Sequence, residues 1–283
     1  MYRIISKESI AEGICRFTIE APKIARKRKA GNFVIVRAAE TSERIPLTLV
    51  DSDTEAGTIT LIVQSVGKST HLINSLHTGD RLMDVTGPLG QATPVELVGT
   101  VVCIGGGVGT AEVLPIARAA CAAGNRVISI IGARSNELLI LEQEMREASA
   151  ELFVVTDDGS QGRRGLVTDA LKELIEQGRS LDCVYAIGPL VMMRAVADLT
   201  RDRAIKTFVS LNAVMIDGTG MCGGCRVSVG RKTRFACVDG PEFDGHEVDF
   251  DVLISRNKAY QQQERMALER FQLEQLVRYE GLV

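Results

Sequence analysis

Aromatic side chains are scarce in this chain: they make up 4% of its 283 residues, and tryptophan is absent. Proteins that bind single-stranded nucleic acid stack the bases on aromatic rings, so the composition argues against such a platform. The formal net charge of -3 supplies no basic surface for nucleic acid or for an anionic membrane. No apolar run approaches the ~18 residues that a membrane-spanning helix needs. We therefore expect neither a nucleic-acid partner nor a membrane span.

Histidine is also rare, and the seven cysteines do not suggest a disulfide framework. The three histidines are expected on the surface or in turns rather than in catalysis. Three of the cysteines are clustered, which fits a metal site in a reducing compartment. The N-terminus has no apolar secretory core, so we expect a cytoplasmic location. The other four cysteines lie in apolar segments and are predicted to be buried: Cys15, Cys103, Cys121 and Cys183.

The cysteine cluster carries the most specific pattern in the chain. Two residues separate Cys222 from Cys225, and Cys237 follows after eleven more. Plant-type [2Fe-2S] proteins use C-x4-C-x2-C and a distant fourth cysteine, and here Asp217 stands at the first position. A carboxylate carries the same single negative charge as a thiolate, but its oxygen is a harder ligand than sulfur and should shift the reduction potential of a bound cluster. The pattern predicts a [2Fe-2S] cluster held by these four residues.

Other interpretations of the same residues remain open. A zinc ion could be held by the three thiolates and one aspartate, although that ligand set is uncommon. Asp217 could be a solvated acid in a glycine-rich loop, and Asp239 and Asp244 are rival oxygen ligands. Only Asp217 stands where the spacing requires a ligand, so the pattern favours it.

The length suggests about two domains of ordinary size, and the chain changes character along its course. Residues 1–97 contain short alternating segments and turn signals, which predict an antiparallel β-barrel. Residues 98–211 alternate strands with helices, as in a doubly wound parallel sheet, and residues 136–149 are helical in composition. The cluster segment spans residues 212–250, and residues 251–283 are predicted to form a helical tail.

A glycine loop follows the apolar strand at Val101–Ile104 and opens a helix. Glycines permit a tight turn and let a pyrophosphate approach the backbone, while the helix N-terminus offers N–H groups to the anion. The sequence therefore predicts a dinucleotide-binding loop, although Thr110 replaces the last glycine of the usual motif. The candidate residues of this loop are Gly105, Gly107, Val108, Gly109 and Thr110.

Three later strand ends are expected at the same edge of the sheet. Arg134 could meet a 2′-phosphate, contact an ordinary ribose or lie on the surface, so the choice between NAD and NADP stays open. Asp157 and Asp158 follow the next strand, and Gly188 and Pro189 follow the one after. Each pair fits either a cofactor contact or a simple turn.

Taken in order, these motifs resemble the ferredoxin-NADP reductase superfamily. The segment Arg44–Leu49 occupies the place of its flavin-binding motif, with Leu47 where the family has an aromatic residue. Gly67–Thr70 matches the flavin-phosphate loop, and Gly87–Gly90 matches the segment that closes the barrel. The resemblance implies FAD contacts at Arg44, Pro46, Leu47, Thr48, Leu49, Ile62, Val63, Gly67, Ser69 and Thr70.

The C-terminal cluster narrows the resemblance. It is similar to the electron-transfer subunit of dihydroorotate dehydrogenase, which has four cysteines. With an aspartate at the first ligand position, the cluster pattern looks closer to that of the small subunit of NADH-dependent reduced ferredoxin:NADP oxidoreductase, also called the sulfide dehydrogenase beta subunit. This resemblance implies a heterodimer with a larger flavin and iron-sulfur subunit that meets ferredoxin, and it implies electron bifurcation as an activity of that complex. A zinc-stabilised regulatory module is the alternative without redox chemistry.

Electron counting makes the implied cofactors consistent with one another. A nicotinamide gives or takes a hydride, a [2Fe-2S] cluster carries one electron, and FAD exchanges both kinds, so the flavin must stand between them. Hydride transfer needs alignment of the rings rather than a general base. We expect Thr48 to be the catalytic residue, through a hydrogen bond near flavin N5, and Arg44 to bind the flavin pyrophosphate.

Overall fold

The structure is a computed structural model that describes residues 1–279. Its N-terminal part forms two antiparallel sheets, with two helices between strands. The strands are β1 (Tyr2–Ala11), β2 (Ile14–Glu20), β3 (Phe33–Arg37), β4 (Ile45–Thr48), β5 (Asp51–Asp53), β6 (Thr58–Gln64), β7 (Arg81–Leu82) and β8 (Asp84–Leu89), and the helices are α1 (Pro22–Ala25) and α2 (Lys68–Asn74). The strand orders are β5-β6-β2-β1-β7 and β4-β3-β8.

The two sheets enclose a common apolar core. Phe17 and Ile19 of β2 point inward because alternate side chains of a strand face one side, and they pair with Leu61 and Ile59 of β6. Val34 of β3 packs in the same core from the other sheet. Burying a side chain as large as Phe17 stabilises the fold by about 1.5–3 kcal/mol. The predicted antiparallel barrel is confirmed.

The middle of the chain forms the predicted parallel sheet. Its strands are β9 (Thr100–Gly106), β10 (Arg126–Ala133), β11 (Glu151–Thr156), β12 (Arg163–Arg164), β13 (Cys183–Ile187) and β14 (Lys206–Ser210), and its helices are α3 (Gly109–Ala122), α4 (Glu142–Glu147), α5 (Val167–Glu176) and α6 (Leu190–Arg201). Val102 and Ile104 of β9 face the α5 and α6 side, whereas Val101 and Cys103 face α3. Burial on both faces explains why β9 is wholly apolar.

The rest of the chain extends this sheet. It contains β15 (Arg226–Val229), β16 (Lys232–Phe235), α7 (Ala236–Asp239), β17 (Glu242–Asp244), α8 (Phe250–Asn257) and α9 (Gln261–Tyr279). The short strand β17 pairs antiparallel with β14, and the final order is β12-β11-β10-β9-β13-β14-β17. The cluster segment is therefore joined to the nucleotide sheet by a strand that the sequence pattern does not reveal.

Three local predictions need correction or qualification. Residues 136–149 are not one helix: a 3-10 turn at Asn136–Leu138 and the helix α4 flank Leu141, whose backbone is left-handed. Cys121 is exposed rather than buried, because it lies on the outer side of α3 near its end. The predicted helical tail is present as α8 and α9, and its last part, residues 280–283, lies outside the described residues.

Across residues 1–279 we find no helix whose length and apolarity would allow it to cross a membrane.

Candidate functional site

A cavity of about 790 Å³ lies at the carboxyl ends of the parallel strands. It gathers residues that are far apart in the sequence, and β6 of the barrel contributes to its wall through Gln64. Ligands of doubly wound folds bind at this edge of the sheet. The candidate nucleotide residues that line the cavity are Gly107, Val108, Gly109, Arg134, Asp157, Gly188 and Pro189.

The glycine loop is shaped by two separate constraints. Gly107 has φ = +58°, a left-handed conformation that favours glycine, and no atom would lie within 4 Å of an added Cβ. Its N–H donates to the Gly132 carbonyl at 2.7 Å, which ties the loop to β10. At Gly109, by contrast, there is no room for a side chain, because an added Cβ would lie 2.2 Å from the Ile187 carbonyl oxygen. The loop thus leaves space for an anion on one side and packs closely on β13 on the other.

Three nucleotide candidates do not line the cavity. Gly105 and the buried Thr110 lie beneath the loop, where a Cβ on Gly105 would be 2.6 Å from Thr110 Cα. Asp158 accepts hydrogen bonds from the Ser160 hydroxyl and N–H, and these bonds hold its pKa below the ordinary value. Asp158 therefore shapes a turn in this structure, whereas Asp157 reaches the cavity.

The candidate flavin residues lie on β4 and around it. Pro46, Leu47 and Thr48 are half-buried, but Leu49 is fully buried in the barrel core, so its backbone alone could meet a cofactor. Arg44 is partly exposed, with its Nη2 3.7 Å from Asp84 Oδ2. Strand β6 contributes two further candidates, Ile62 and Val63, which are both buried.

The loop before α2 is already ordered by its own hydroxyls. The Thr70 hydroxyl accepts hydrogen bonds from the N–H groups of Val66 and Gly67 and caps the helix. The Ser69 hydroxyl donates to Glu43 Oε2 at 2.8 Å. A phosphate at this loop would meet a preformed turn, but the Ser69 hydroxyl would have to leave Glu43 to bind it.

Sequence reasoning missed two acidic residues at this edge of the sheet. Glu112 follows the glycine loop in the first turn of α3, and burial raises its pKa to about 7 although the Thr48 hydroxyl lowers it in part. Burial likewise raises the pKa of Glu242 on β17 to about 8. An acid directly after a glycine loop was a visible signal for Glu112, whereas only the fold brings Glu242 here.

The loop of residues 211–225, called the cluster loop below, ends at Cys225, and the fold brings this predicted ligand into contact with Cys237 of α7. The Cys225 and Cys237 thiols are both buried, and their sulfur atoms are 3.2 Å apart. Burial, with the neighbouring Cys225 thiol, raises the pKa of Cys237 to about 12, so a metal must displace this proton. Cys222 is exposed on the loop that ends at Cys225, and its sulfur accepts a hydrogen bond from the Gly224 N–H at 3.4 Å.

Asp217 organises the start of this loop. Its two carboxylate oxygens accept hydrogen bonds from the N–H groups of Thr219 at 2.9 Å and of Cys222 at 2.8 Å. The hydrogen bond from Thr219 is the main reason why the pKa of Asp217 is lowered. An ionised carboxylate has about four acceptor positions, so two remain for another partner. Among the described residues no three His, Cys, Asp or Glu side chains converge as a closed metal site. The donor set still fits an iron-sulfur cluster, because Asp217, Cys222 and Cys225 share one loop and the thiol of Cys225 lies beside that of Cys237 on α7.

Comparisons with known proteins agree with this arrangement. An oxidoreductase FAD-binding domain matches residues 1–93, and an oxidoreductase NAD-binding domain matches residues 103–198. The iron-sulfur cluster binding domain of dihydroorotate dehydrogenase B matches residues 212–249. The fold and these matches define an NAD(P)H-dependent oxidoreductase that transfers electrons with FAD and an iron-sulfur cluster.

Curated relatives identify the family. The chain is 44% identical over 268 residues to the dihydroorotate dehydrogenase B (NAD(+)) electron transfer subunit homolog of Thermotoga maritima, covering 95% of this chain and 94% of that protein. It is 34% identical to the corresponding electron transfer subunit of Geobacillus thermodenitrificans, with 87% and 96% covered. The chain therefore belongs to the family of dihydroorotate dehydrogenase B-type electron-transfer subunits.

Solved structures confirm the resemblance that the motifs predicted. A chain of the NADH-dependent reduced ferredoxin-NADP oxidoreductase, studied for flavin-based electron bifurcation, is 42% identical with a TM-score of 0.91, covering 96% of this chain and 98% of that one. Phthalate dioxygenase reductase is 18% identical with a TM-score of 0.55, covering 81% and 85%, and shows only a shared fold. The predicted role in electron transfer is confirmed.

Proposed function

We propose that this chain moves electrons between NAD(P)H and a partner subunit through FAD and a [2Fe-2S] cluster. In this proposal the β4 segment and the α2 loop hold the flavin, and the glycine loop before α3 holds the dinucleotide. When bound, the flavin supplies the conversion between a hydride and single electrons. The proposed cluster ligands are Asp217, Cys222, Cys225 and Cys237. The proposed domains are residues 1–97, 98–211, 212–250 and 251–283.

One packing observation carries the proposal: the flavin segment and the cluster loop flank the same strand. Phe33 of β3 pairs with Thr48, and it packs in the core that contains Cys225 and Cys237. A Cβ on Gly218 of the cluster loop would lie 2.8 Å from the Ile35 side chain of β3. Electron transfer from flavin to cluster requires adjoining sites, and this packing supports the proposal that the two sites adjoin.

For the partner, we propose a larger subunit with its own flavin and iron-sulfur centres, in a heterodimer that reaches ferredoxin through that subunit. The support is the near full-length similarity to a chain of NADH-dependent reduced ferredoxin-NADP oxidoreductase. Asp217 supports the same partner, because it stands at the first ligand position, where the resemblance implies a cysteine in the dihydroorotate dehydrogenase subunit. Electron bifurcation would then be a property of the whole complex.

The test is to isolate the chain anaerobically with whatever co-purifies and to titrate it with NADH and NADPH. We expect both flavin and iron-sulfur absorption bands, and bleaching by the preferred nucleotide, because the two redox sites adjoin. The size of the co-purifying subunit checks the heterodimer. Colourless protein with stoichiometric zinc would contradict the proposal and favour the zinc-stabilised module.

The role of Asp217 can be tested by replacing its oxygen with sulfur. We expect Asp217→Cys to keep the iron content and to shift the cluster potential, because a thiolate is a softer ligand than a carboxylate. Electron paramagnetic resonance and potentiometry on the reduced protein measure both, and g-values and an electron count typical of two irons check the [2Fe-2S] type.

Asp239→Cys is the matched control for Asp217→Cys, since it adds a thiol at a rival acid on the same segment. Asp239 accepts the Phe235 N–H at 2.7 Å, so it has a structural role of its own. An unchanged potential in Asp217→Cys would show that Asp217 does not ligate iron.

A second candidate is the electron-transfer subunit of dihydroorotate dehydrogenase B, favoured by the 34% identity to the Geobacillus thermodenitrificans protein of that name. The isolated complex distinguishes the two candidates. NADH-dependent reduction of orotate would support the second, and NADP reduction by reduced ferredoxin would support the first.

A further inference from the structure

The last turn of α8 is hydrogen bonded to both ends of the cluster loop. Arg256 Nη2 donates to the Gly224 carbonyl at 3.2 Å, and Asn257 Nδ2 donates to the Asn212 carbonyl at 3.1 Å. Asn212 is the second residue of the loop, and Gly224 is the residue before Cys225. Two consecutive side chains of one helix therefore join the beginning of the loop to its end.

The helix that carries these side chains is itself anchored beside the loop. The N–H of its capping residue, Asp249, donates to the Ser228 carbonyl of β15 at 2.9 Å. Phe250 and Leu253 are buried in the same core as the Cys225 thiol. The position of α8 is thus fixed by backbone bonding at its start and by apolar packing along its length, and its last turn can hold the loop in place.

The cluster loop has few other restraints of this kind. Residues 212–225 belong to no helix or strand, and Met221 is 88% exposed. The hydrogen bonds accepted by the Asp217 carboxylate and by the Cys222 sulfur join residues of the loop to one another. The two bonds from α8 instead reach the loop from another element, so they restrain it relative to the rest of the fold.

Arg256 also brings a positive charge to the loop. A basic residue in a last turn often bonds the carbonyls of its own helix, but the Ile254 carbonyl already accepts the Lys258 N–H at 3.2 Å. Arg194 pairs with Asp251 of the same helix, whereas Arg256 forms no ion pair with an acidic side chain of residues 1–279. Because Arg256 is half-buried, solvent screens its charge less than that of an exposed cation.

The bond from Arg256 falls on the peptide group that joins Gly224 to Cys225. Hydrogen bonds in a chain polarise one another, so a cation at this carbonyl strengthens the N–H donor of Cys225 at the other end of the same peptide. Net charge and hydrogen bonding at the ligands set the potential of an iron-sulfur cluster. A reduced cluster is more negative than an oxidised one, so positive charge beside the loop favours reduction.

We propose that Arg256 is a positioning residue of the iron-sulfur site, which fixes the Cys222–Cys225 turn and raises the reduction potential of a cluster bound there. Asn257 fixes the opposite end of the loop and adds no charge. The inference rests on the proposed function, because it requires a cluster in this loop. A higher potential makes the cluster a better acceptor of single electrons from the flavin.

The test is Arg256→Met in the full-length chain with its co-purifying partner. Methionine keeps an unbranched side chain but has neither the charge nor an N–H donor. We expect a chelator to remove iron at least about tenfold faster, because losing a group that supports a metal ligand costs about 10–100-fold in affinity. The cluster midpoint potential, followed by electron paramagnetic resonance, should fall. Arg256→Lys keeps the charge and a donor, so it should restore most of the native potential.

Two further variants separate charge from positioning. Lys258→Gln is the matched control, since it removes one positive charge from an exposed side chain two residues away, and it should match the native protein in both measurements. Asn257→Ala should speed iron release and leave the potential unchanged. Native iron release and native potential in Arg256→Met would overturn the proposal, and so would an equal fall of potential in Lys258→Gln.

Hydrogen exchange extends the test to the iron-free protein. Peptides that cover residues 212–225 should exchange faster in Arg256→Met than in the native chain, because a bond that restrains the loop is lost. Circular dichroism checks that the variant folds, and Asn257→Ala gives the same comparison at the other end of the loop if it does not. Unchanged exchange in the folded variants would overturn the positioning role, whereas absence of iron from the native protein would overturn the proposed function.

Discussion

Cys225→Ala is expected to abolish the iron-sulfur cluster while leaving the nucleotide and flavin sites in place. Cys225 is fully buried beside Cys237, and no spare cysteine of residues 1–279 lies in the loop to replace it. Losing even a group that only supports a metal ligand costs about 10–100-fold in metal affinity, so loss of a ligand should cost at least that much. Iron analysis and the visible spectrum of anaerobically purified protein measure the loss.

The flavin provides the internal standard for this experiment. NADH should still bleach the flavin bands of Cys225→Ala, since β4 and the glycine loop are separate from the loop that carries Cys225. Cys121→Ala is the matched control, because Cys121 is an exposed thiol on α3 and does not belong to the cluster loop. A full complement of iron in Cys225→Ala would refute this ligand assignment, whereas equal iron loss in Cys121→Ala would indicate an effect of handling.

The same cluster shows what local spacing can predict. The separations among Asp217, Cys222 and Cys225 are properties of one loop, so the sequence displays them directly, and the structure places all three on that loop. The packing of the cluster loop against β3 could not be predicted from local spacing. It depends on a contact between Gly218 and Ile35, which are 183 positions apart, and on β17 pairing with β14.

The glycine loop and the two acidic residues Glu112 and Glu242 show the same difference between what local sequence and what the fold determines. A strand, a glycine loop and a helix are contiguous, so the dinucleotide site could be predicted from sequence alone. Glu112 and Glu242 are 130 positions apart, and their raised pKa values come from burial that only the assembled domains create. The hydroxyl of Thr70 is a comparable case, because the family resemblance implies a flavin contact there and the structure uses the hydroxyl as a helix cap.

Gly109→Ala is expected to weaken NADH binding by about tenfold or more and to destabilise the fold. The added Cβ would lie 2.2 Å from the Ile187 carbonyl oxygen and 2.9 Å from Gly188 Cα, and both are backbone atoms of the strand end that supports the cavity. Overpacking of this kind costs about 1–3 kcal/mol, and 1.4 kcal/mol expressed at the ligand corresponds to tenfold in affinity. Calorimetric titration with NADH and urea unfolding measure the two effects.

Gly178→Ala separates loss of stability from loss of the site. Gly178 follows α5 with φ = +69° and has no atom within 4 Å of an added Cβ, so alanine there adds only left-handed strain of about 1–2 kcal/mol. We expect this variant to lose stability comparable to that lost in Gly109→Ala and to bind NADH normally. Normal NADH affinity in Gly109→Ala would mean that the loop adapts without moving the dinucleotide, and the steric argument for this glycine would then be wrong.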